Sequence, residues 1–311
     1  MNWEGLLLLN KDKGQSSHDA VEHLRKILEY RKIGHTGTLD PGATGLLLMC
    51  LGRALKIAQF LQDLDKEYVA VIKLGTVTDT YDAEGKVLRS QDSLDIKPDQ
   101  IEQAIDSFQG EIEQVPPIYS ALRCKGKRLY QYAREGQKVS INKKRVHLKA
   151  IDNRRIDLPY VEFRIICSKG TYVRSLAFDI GERLGCGAFL FSLCRTRIGH
   201  FTLSDSLTLS EVEDLFKNNK LKDKLSSIER GLAHLPFVSV EDGMTQRIKC
   251  GAELKAKDLS LNNTCFAKGE LLTIKDSSGN VLAVGKALLS SQQMSELEGN
   301  TRMLEYKRVL T

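Results

Sequence analysis

The stretch GHTGTLDPGATG, residues 34–45, lies between the basic segment EYRKI (29–33) and the apolar segment LLLMCLG (46–52). Its four glycines allow backbone conformations that other residues avoid and let another molecule approach closely, while Pro41 fixes one backbone angle. Asp40 is its only carboxylate and directly precedes Pro41, which biases Asp40 toward an extended conformation. The stretch therefore predicts a shaped loop that projects one carboxylate.

Asp40 has two interpretations. A lone aspartate in a glycine-rich loop typically forms a turn, in which its carboxylate accepts local backbone N–H bonds. The alternative is a catalytic carboxylate.

Arg174 bears on this choice because it falls in the first turn of a predicted helix, where a cation is unfavourable. Such a cation needs an anion, either Asp40 or an RNA phosphate. A neighbouring arginine would keep the aspartate ionised well below neutral pH. A surface arginine that reaches water is the alternative for Arg174.

The composition bounds the class of protein. At 311 residues with 41% hydrophobic residues, the chain can form a large domain with a smaller companion. Seven cysteines without a CxxC pair argue against a disulfide framework and a zinc ribbon, so we expect a cytoplasmic protein. The four consecutive leucines near the start are too few for a signal peptide or a membrane span, and we expect no membrane association.

A basic tract runs from Arg123 to Arg155, with twelve Lys or Arg against two acidic residues. Most such runs are solvated surface. The alternative is an arm that binds phosphates, because Tyr119, Tyr130 and Tyr132 are interleaved with the cations and could stack on bases.

The hydrophobic pattern mixes helices and strands without a strict βαβ alternation, which indicates an α+β fold. Residues 268–289 form two alternating stretches around a Ser-Gly-Asn turn, which predicts a hairpin in a small β-rich module beginning near residue 235. The other predicted strands are 5–10, 45–52, 67–75, 144–157 and 160–170; the predicted helices follow Ser16 or Ser17 or lie near 53–64, 98–107 and 171–185, and 216–229 is a lysine-rich connector or exposed helix.

Several familiar sites are missing from the sequence. It contains no GxxxxGK[ST] loop for a nucleotide, no GxGxxG after a strand, no HExxH, and no zinc-deaminase signature. Asp40 remains the candidate for chemistry.

Four segments resemble, in this order, successive motifs of the TruB-type tRNA pseudouridine synthases, which act on uridine 55 of the tRNA T arm. They are GHTGTLDPGATGLLLMCLGRALK (34–56), DKEYVAVIKLGTVTDTYDAEG (65–85), PPIYSALRCKGKRLYQYAREG (116–136) and CSKGTYVRSLAFDIGERLGCGA (167–188). The resemblance covers about residues 5–200. It implies a catalytic domain built on a mixed, largely antiparallel sheet (1–234), with a basic RNA-clamping insertion at about 119–155. A PUA-like RNA-binding domain (235–311) is implied in outline only.

The resemblance also implies roles for individual residues. Asp40 matches the catalytic aspartate, which starts to break the C1′–N1 bond so that uracil can rotate and rejoin through C5. His35 matches a histidine that holds the target nucleotide out of the stack, and Tyr68 a tyrosine against the flipped base that is implicated in removing the C5 proton. Arg174 matches the arginine paired with the aspartate, and Leu193 an apolar residue in the pocket.

A further element beneath the site departs from the family pattern. Lys11 and Gly14 match a Lys-Pro-x-Gly motif, in which we count Lys11 as a substrate-binding candidate, but Asp12 stands where the family usually has proline. The change puts the rigidity of this support in doubt, not the chemistry. Whether Asp40 attacks C6, attacks C1′ or acts as a base stays open.

The resemblance predicts a cytoplasmic, monomeric enzyme whose partner is the tRNA T stem-loop. The isomerisation is redox-neutral, so we expect neither cofactor nor metal. One alternative is an RNA-binding or tRNA-folding module, for which Asp40 is not required. Another is a guide-RNA-dependent synthase; such synthases usually carry a larger C-terminal domain, so we expect no guide RNA. The candidates for contact with the RNA backbone are Lys125, Lys127, Arg128 and Lys138.

Overall fold

The structure, a computed structural model, describes residues 2–91, 93–120, 122–124, 126–137, 139–241, 243–262, 264–296 and 301–310. Two of the predicted RNA-backbone residues, Lys125 and Lys138, lie outside the described residues. Within the described part, none of the helices is both long and apolar enough to cross a membrane. All seven cysteines are described, and each is free.

The strands of the first 234 residues centre on one mixed sheet. They are β1 (Gly5–Lys11), β2 (Ile33–His35), β3 (Thr44–Leu51), β4 (Lys66–Leu74), β5 (Thr76–Thr78), β6 (Val87–Ser90), β7 (Gly110–Gln114), β8 (Arg123–Cys124), β9 (Lys127–Arg128), β10 (Lys144–Asp157), β11 (Tyr160–Cys167), β12 (Ala188–Ile198) and β13 (Phe201–Thr202). Among the described residues nine of them form the sheet, in the order β1-β3-β12-β4-β11-β10-β7, with β2 on β3 and β13 on β12. The β3–β12 pair is parallel, while the other pairs of this sheet are antiparallel.

The helices of this part pack mainly on one face of the sheet, around a core that includes Leu24, Leu47, Phe163 and Leu176. They are α1 (Ser17–Leu28), α2 (Ala58–Gln62), α3 (Pro98–Asp106), α4 (Leu129–Arg134), α5 (Val173–Arg183), α6 (Leu209–Lys217) and α7 (Ile228–Gly231), with 3-10 turns at Gly52–Ile57, Leu203–Asp205 and Leu221–Lys224. The helix predicted near 53–64 is thus a 3-10 turn followed by the short α2, and the connector predicted at 216–229 holds the end of α6, a 3-10 turn and the start of α7.

The start of α1 separates the roles of two adjacent serines. Ser16 is the N-cap: its hydroxyl accepts a bond from the Asp19 amide at 3.1 Å, and the Asp19 carboxylate accepts one from the Ser16 amide at 2.9 Å. This capping box fixes the first turn. Ser17 is consequently turned inward and buried, where it contacts the loop that carries Asp40.

Strand β12 was not predicted, although it lies between β3 and β4 in the sheet. Its register shifts between Leu190 and Ser192 and again between Arg195 and Arg197. Each such bulge adds a residue and breaks the alternation of buried and exposed side chains from which strands are predicted. The two bulges flank Leu193 and re-aim this part of the strand.

The predicted basic insertion at 119–155 is divided in two by the structure. Its second part, from Lys144, belongs to β10, which pairs with both β7 and β11. The part before it holds the short β8–β9 hairpin and α4. An arm that spans the whole tract does not fit this arrangement, because backbone hydrogen bonds on both sides hold β10 in the sheet.

The C-terminal residues form a small β-rich module with its own five-stranded sheet among the described residues, in the order β15-β14-β16-β17-β18. The predicted hairpin is β16–β17. The elements are β14 (Phe237–Val240), β15 (Leu259–Ser260), β16 (Leu271–Lys275), β17 (Val281–Ala287), β18 (Leu304–Val309), α8 (Met244–Lys249), α9 (Ser291–Ser295) and a 3-10 turn at Ala256–Asp258. With the mixed sheet, this module confirms the predicted α+β fold.

An apolar cluster joins this module to the main sheet. Val281, Val284 and Leu310 of the module pack in one cluster with Leu48 and Phe60 of the larger part. Two hydrogen bonds cross the same boundary, from the Lys56 ammonium to the Val309 carbonyl (3.2 Å) and from the Val281 amide to Glu229 (3.3 Å). The two parts therefore share buried side chains.

Candidate active site

Asp40 lies in the loop between β2 and β3. The Asp40 carbonyl accepts a bond from the Ala43 amide at 3.0 Å, which closes a turn. Beyond the turn, Gly45 has a φ of +98°, and a Cβ there would lie 2.4 Å from the Arg195 carbonyl oxygen. Only glycine fits this close approach of β3 to β12. The end of the loop therefore lies where β3 meets β12 in the sheet.

The carboxylate of Asp40 is paired with Arg174. Nε of Arg174 lies 3.0 Å from Oδ2 of Asp40, and the side chains are 7% and 43% exposed respectively. Arg174 is the second residue of α5, so the helix N-terminus carries a buried cation. The carboxylate of Asp40 compensates this charge, as expected for a cation at the N-terminus of a helix.

Arg174 has a second carboxylate partner, Asp82, which sequence reasoning missed. Nη1 of Arg174 lies 3.2 Å from Oδ2 of Asp82, and Nη2 donates to the Tyr119 carbonyl at 3.1 Å. Asp82 also accepts a bond from the Thr80 hydroxyl at 2.6 Å, which is the signature of a local turn. The sequence does not indicate that Asp82 contacts Arg174, because the two residues are 92 positions apart.

The surroundings of Asp40 set its pKa. Although the Asp40 side chain is 43% exposed, the walls of the cleft displace bulk water around its carboxyl, and this desolvation raises its pKa above the ordinary value; Arg174 and Lys11 oppose this shift, and Asp82 adds to it. The lowering expected from an arginine partner is present, but burial outweighs it. Asp40 is therefore a better proton acceptor than an exposed aspartate.

A cleft of about 700 Å³ opens in front of this pair. His35, Asp40, Tyr68, Arg174 and Leu193 all line it, so five of the predicted site residues lie together. Tyr68 is 9% exposed, and burial raises the pKa of its hydroxyl, which keeps it protonated near neutral pH. Residues from four separate segments thus form one wall and floor.

His35, at the end of β2, is neutral near neutral pH. Burial lowers its pKa, and the charge of Arg195 lowers it further. Its Nδ1 atom is buried and has no hydrogen-bond partner among the described residues. A neutral imidazole at the wall of the cleft can pack against a base.

Lys11 does not line the cleft but lies beneath the loop, fully buried. Its ammonium donates to the carbonyls of Asp12 (2.8 Å), Gln15 (2.9 Å) and Pro41 (3.4 Å). The Gly14 amide donates to the same Pro41 carbonyl at 2.9 Å. The structure therefore places Lys11 under the backbone next to Asp40, where it supports the loop.

The two described candidates for RNA-backbone contact, Lys127 and Arg128, lie away from the cleft lining. Lys127 forms an ion pair with Glu135 and lies 5.2 Å from the centre of the Tyr132 ring, so its charge is already compensated. Arg128 is exposed. Besides Arg174, the cations that line the cleft are Lys66, Lys144, Arg145, Lys169 and Arg195.

The cations that line the cleft differ in whether another residue already compensates their charge. The Lys169 ammonium lies 2.6 Å from Asp63, and Nε of Arg145 lies 3.8 Å from Glu113. Lys66 is buried, and burial lowers its pKa to about 8. Lys144 is exposed, and within the described residues no ion pair occupies its ammonium. The sequence held no signal for this set beyond the general basic tract.

Models of three known protein domains match consecutive parts of the chain. Residues 25–173 match the model of the TruB family pseudouridylate synthase N-terminal domain, residues 174–233 that of the tRNA pseudouridylate synthase B C-terminal domain, and residues 236–310 that of the PUA domain. A tRNA pseudouridine synthase B of Clostridium tetani is 40% identical over 82% of this chain and 87% of its own length. The chain belongs to the TruB family of pseudouridine synthases.

Other relatives agree with this family. A tRNA pseudouridine synthase B of Bacillus pumilus is 40% identical over 90% of this chain and 92% of its own length. Among solved structures, a Cbf5-Nop10-Gar1 complex matches with 30% identity and a TM-score of 0.80 over 99% of this chain and 85% of the other. An H/ACA RNP bound to a substrate RNA with 2′-deoxyuridine matches with 28% identity and a TM-score of 0.78 over 99% and 85%. This TruB family chain therefore has both the fold and the order of motifs of pseudouridine synthases.

Proposed function

We propose that this TruB family chain converts uridine 55 in the T arm of tRNA to pseudouridine, and that Asp40 carries the chemistry. The observation that supports this most is the ion pair between Asp40 and the buried Arg174 at 3.0 Å, at the floor of a 700 Å³ cleft that Tyr68 and His35 also line. A turn-forming aspartate requires neither a buried arginine nor a cleft. The relatives at 40% identity carry the name tRNA pseudouridine synthase B.

The cleft is suited to a base taken out of its stack. Extrusion of a stacked base costs a few kcal/mol, which stacking on aromatic side chains and contacts with cations can offset. Tyr68 and His35 provide ring surfaces in the cleft, and Leu193 provides an apolar contact. The exposed Lys144 at the rim provides a charge for the RNA backbone.

The reaction itself exchanges one bond to the sugar for another. The C1′–N1 bond breaks, uracil rotates, a C1′–C5 bond forms, the C5 proton leaves and N1 gains a proton, so no atom or electron is gained overall. Asp40, the lining carboxylate that is paired with Arg174, starts the bond cleavage. Tyr68 is assigned the place against the base, where its protonated hydroxyl is the candidate to relay the C5 proton: it takes up that proton while it gives its own to water, and N1 regains a proton from water. Arg174 orients Asp40 through the 3.0 Å contact.

We assign residues 1–234 to catalysis and 235–311 to a PUA-like RNA-binding domain, in a monomeric cytoplasmic enzyme that acts without guide RNA. Relatives named tRNA pseudouridine synthase B are about 40% identical, whereas the chains of the Cbf5-containing complexes are 27–30% identical. The higher similarity favours the stand-alone form.

The test is incubation of one unmodified tRNA transcript with the protein alone, followed by mapping of pseudouridine. We expect modification at position 55 only, and none in a matched transcript with cytidine at that position. Modification that requires an added guide RNA would favour the guide-dependent form. Tight tRNA binding without any pseudouridine would favour an RNA-folding module.

A further inference from the structure

Arg195 of β12 is a buried arginine beneath the loop that carries Asp40. It is 1% exposed, and within the described residues it forms no ion pair with a carboxylate. Its guanidinium donates to three backbone carbonyls: Nε to Leu46 (2.7 Å), Nη2 to Gly37 (3.0 Å) and Nη1 to Thr38 (3.5 Å). A buried charge without a counter-ion is costly and calls for a role other than stability.

The three carbonyls lie on both sides of Asp40. Gly37 and Thr38 precede it and Leu46 follows it, so one rigid, planar group ties the entry of the loop to its exit. Arg195 also pairs in register with Tyr68 of β4, and Leu193 of the same strand lines the cleft. The guanidinium therefore joins the loop of Asp40 to the strands that present the opposite wall.

We propose that Arg195 is a positioning residue that sets the distance between Asp40 and the wall formed by Tyr68 and Leu193. This inference rests on the proposed function, because it concerns the geometry of that reaction. The reacting atoms must be held close to their productive separation, and a displacement of about 1 Å can cost about 100-fold in rate.

Two other buried side chains hold the loop but do not reach the opposite wall. The Ser17 hydroxyl accepts a bond from the Leu39 amide (2.8 Å) and donates to the Leu39 carbonyl (3.0 Å). The Lys11 ammonium donates to the Pro41 carbonyl at 3.4 Å. These contacts fix the two neighbours of Asp40 to α1 and β1. Of the three supports, Arg195 is the one that belongs to β12.

The test compares Arg195→Lys with Arg197→Lys. Arg197 lies on the same strand but binds Glu67, with Nη2 3.1 Å from Oε2, and does not line the cleft. Lysine keeps the charge of Arg195 but cannot span three carbonyls. We expect Arg195→Lys to lose about 100-fold in single-turnover rate at saturating tRNA, with tRNA affinity within about threefold of the parent, and Arg197→Lys to keep the parent rate.

A nuclear magnetic resonance titration of His35 separates geometry from charge. His35 faces the charges of Arg195 and His18, and both lower its pKa. The pKa of His35 should stay low in Arg195→Lys and rise in Arg195→Met, while that of His234, whose surroundings do not include Arg195, stays constant. A slow Arg195→Lys variant with an unchanged His35 pKa supports positioning.

Two results would contradict the positioning role of Arg195, and a third would contradict the proposed function. If Arg195→Lys keeps the parent rate, the positioning role is wrong. If it loses tRNA binding and cooperative unfolding together with the rate, Arg195 is a general structural residue and the proposal is also overturned. If the parent protein forms no pseudouridine in the same assay, the proposed function fails, which is a separate outcome.

Discussion

Asp82 lies 3.2 Å from Nη1 of Arg174, the arginine whose Nε lies 3.0 Å from Asp40. Arg174 is therefore held between two carboxylates, and the orientation of its guanidinium is fixed by the one that does not react. Since Asp82 is 16% exposed in its side chain, this outer contact is shielded from water. The arrangement makes distinct predictions for the two acids.

Replacement Asp40→Asn should abolish turnover and leave folding and tRNA affinity nearly unchanged. The amide is close in shape to the carboxyl, but it can act neither as a nucleophile nor as a base. The measurement is pseudouridine formation under single-turnover conditions, with affinity and thermal unfolding as controls. A residual rate within about tenfold of the parent would contradict the assignment.

Replacement Asp82→Asn should lower turnover while it preserves tRNA affinity, because Arg174 loses the partner that orients it. The loss should be smaller than for Asp40→Asn, since the 3.0 Å contact with Asp40 remains possible. Asp205→Asn, an exposed acid in a 3-10 turn outside the cleft lining, is the control. Equal rates for the parent and Asp82→Asn would show that Asp82 is dispensable.

The pH dependence follows from the pKa of Asp40. Burial raises this pKa above its ordinary value of 3.8, and the reaction needs the ionised carboxylate. The single-turnover rate should therefore fall as the pH drops through the raised pKa, with a midpoint above 3.8. In Asp82→Asn the midpoint should move to lower pH, because the neighbouring negative charge is gone. A midpoint that does not move would argue against this coupling.

The raised pKa of Asp40 should also affect folding stability. Ionisation of Asp40 lowers the free energy of unfolding, whereas it raises the reaction rate. A carboxyl whose pKa is raised on folding favours the protonated folded state, so its ionisation costs folding free energy as the pH rises from the unfolded pKa through the folded one. Asp40→Asn removes this cost. In that pH window, the free energy of unfolding should fall more steeply with pH in the parent than in the variant, as measured by urea titration.

Activity should survive exhaustive chelation. The expectation comes from the chemistry, which transfers no electrons and adds no water. Because magnesium also folds tRNA, the assay should use a prefolded T-arm stem-loop in EDTA. Loss of isomerisation that zinc or magnesium restores without a change in RNA structure would refute a metal-free site.

Salt dependence should distinguish the cleft cations from the hairpin cations. Each phosphate neutralised contributes about 0.7–0.9 to the slope of log affinity against log salt concentration. Lys144→Ala should lower the slope by about this amount, because its exposed ammonium lines the cleft. Lys127→Ala should change it less, because Glu135 already pairs with Lys127. The reverse order would return the binding role to the β8–β9 hairpin.

The sequence allowed the regular elements to be predicted where one principle governed them. Strand β1 is a run of apolar residues, and α1 has a capping serine and an apolar stripe, so both follow from local pattern. The need of Arg174 for an anion also followed from its place in a helix. The resemblance added the roles of His35, Tyr68 and Leu193, which spacing alone does not reveal.

The remainder depended on contacts between distant segments. Strand β12 was not predicted because its two bulges break the alternation of buried and exposed side chains. Asp82 and Arg195 escaped because their partners lie 92 and about 150 positions away. Lys144 was counted only as part of the basic tract and Lys66 was not singled out, since only the folded chain shows which cations border the cleft. Long-range pairing of this kind leaves no periodic signal in a single sequence.

The apolar cluster that joins the C-terminal module to the main sheet has a consequence for truncation. A chain cut after residue 234 would expose the leucines that pack against Val281, Val284 and Leu310. It would tend to aggregate before any loss of RNA recognition could be measured. The full chain should instead melt in one transition, and the shared cluster keeps the surface of the module at a constant distance from Asp40.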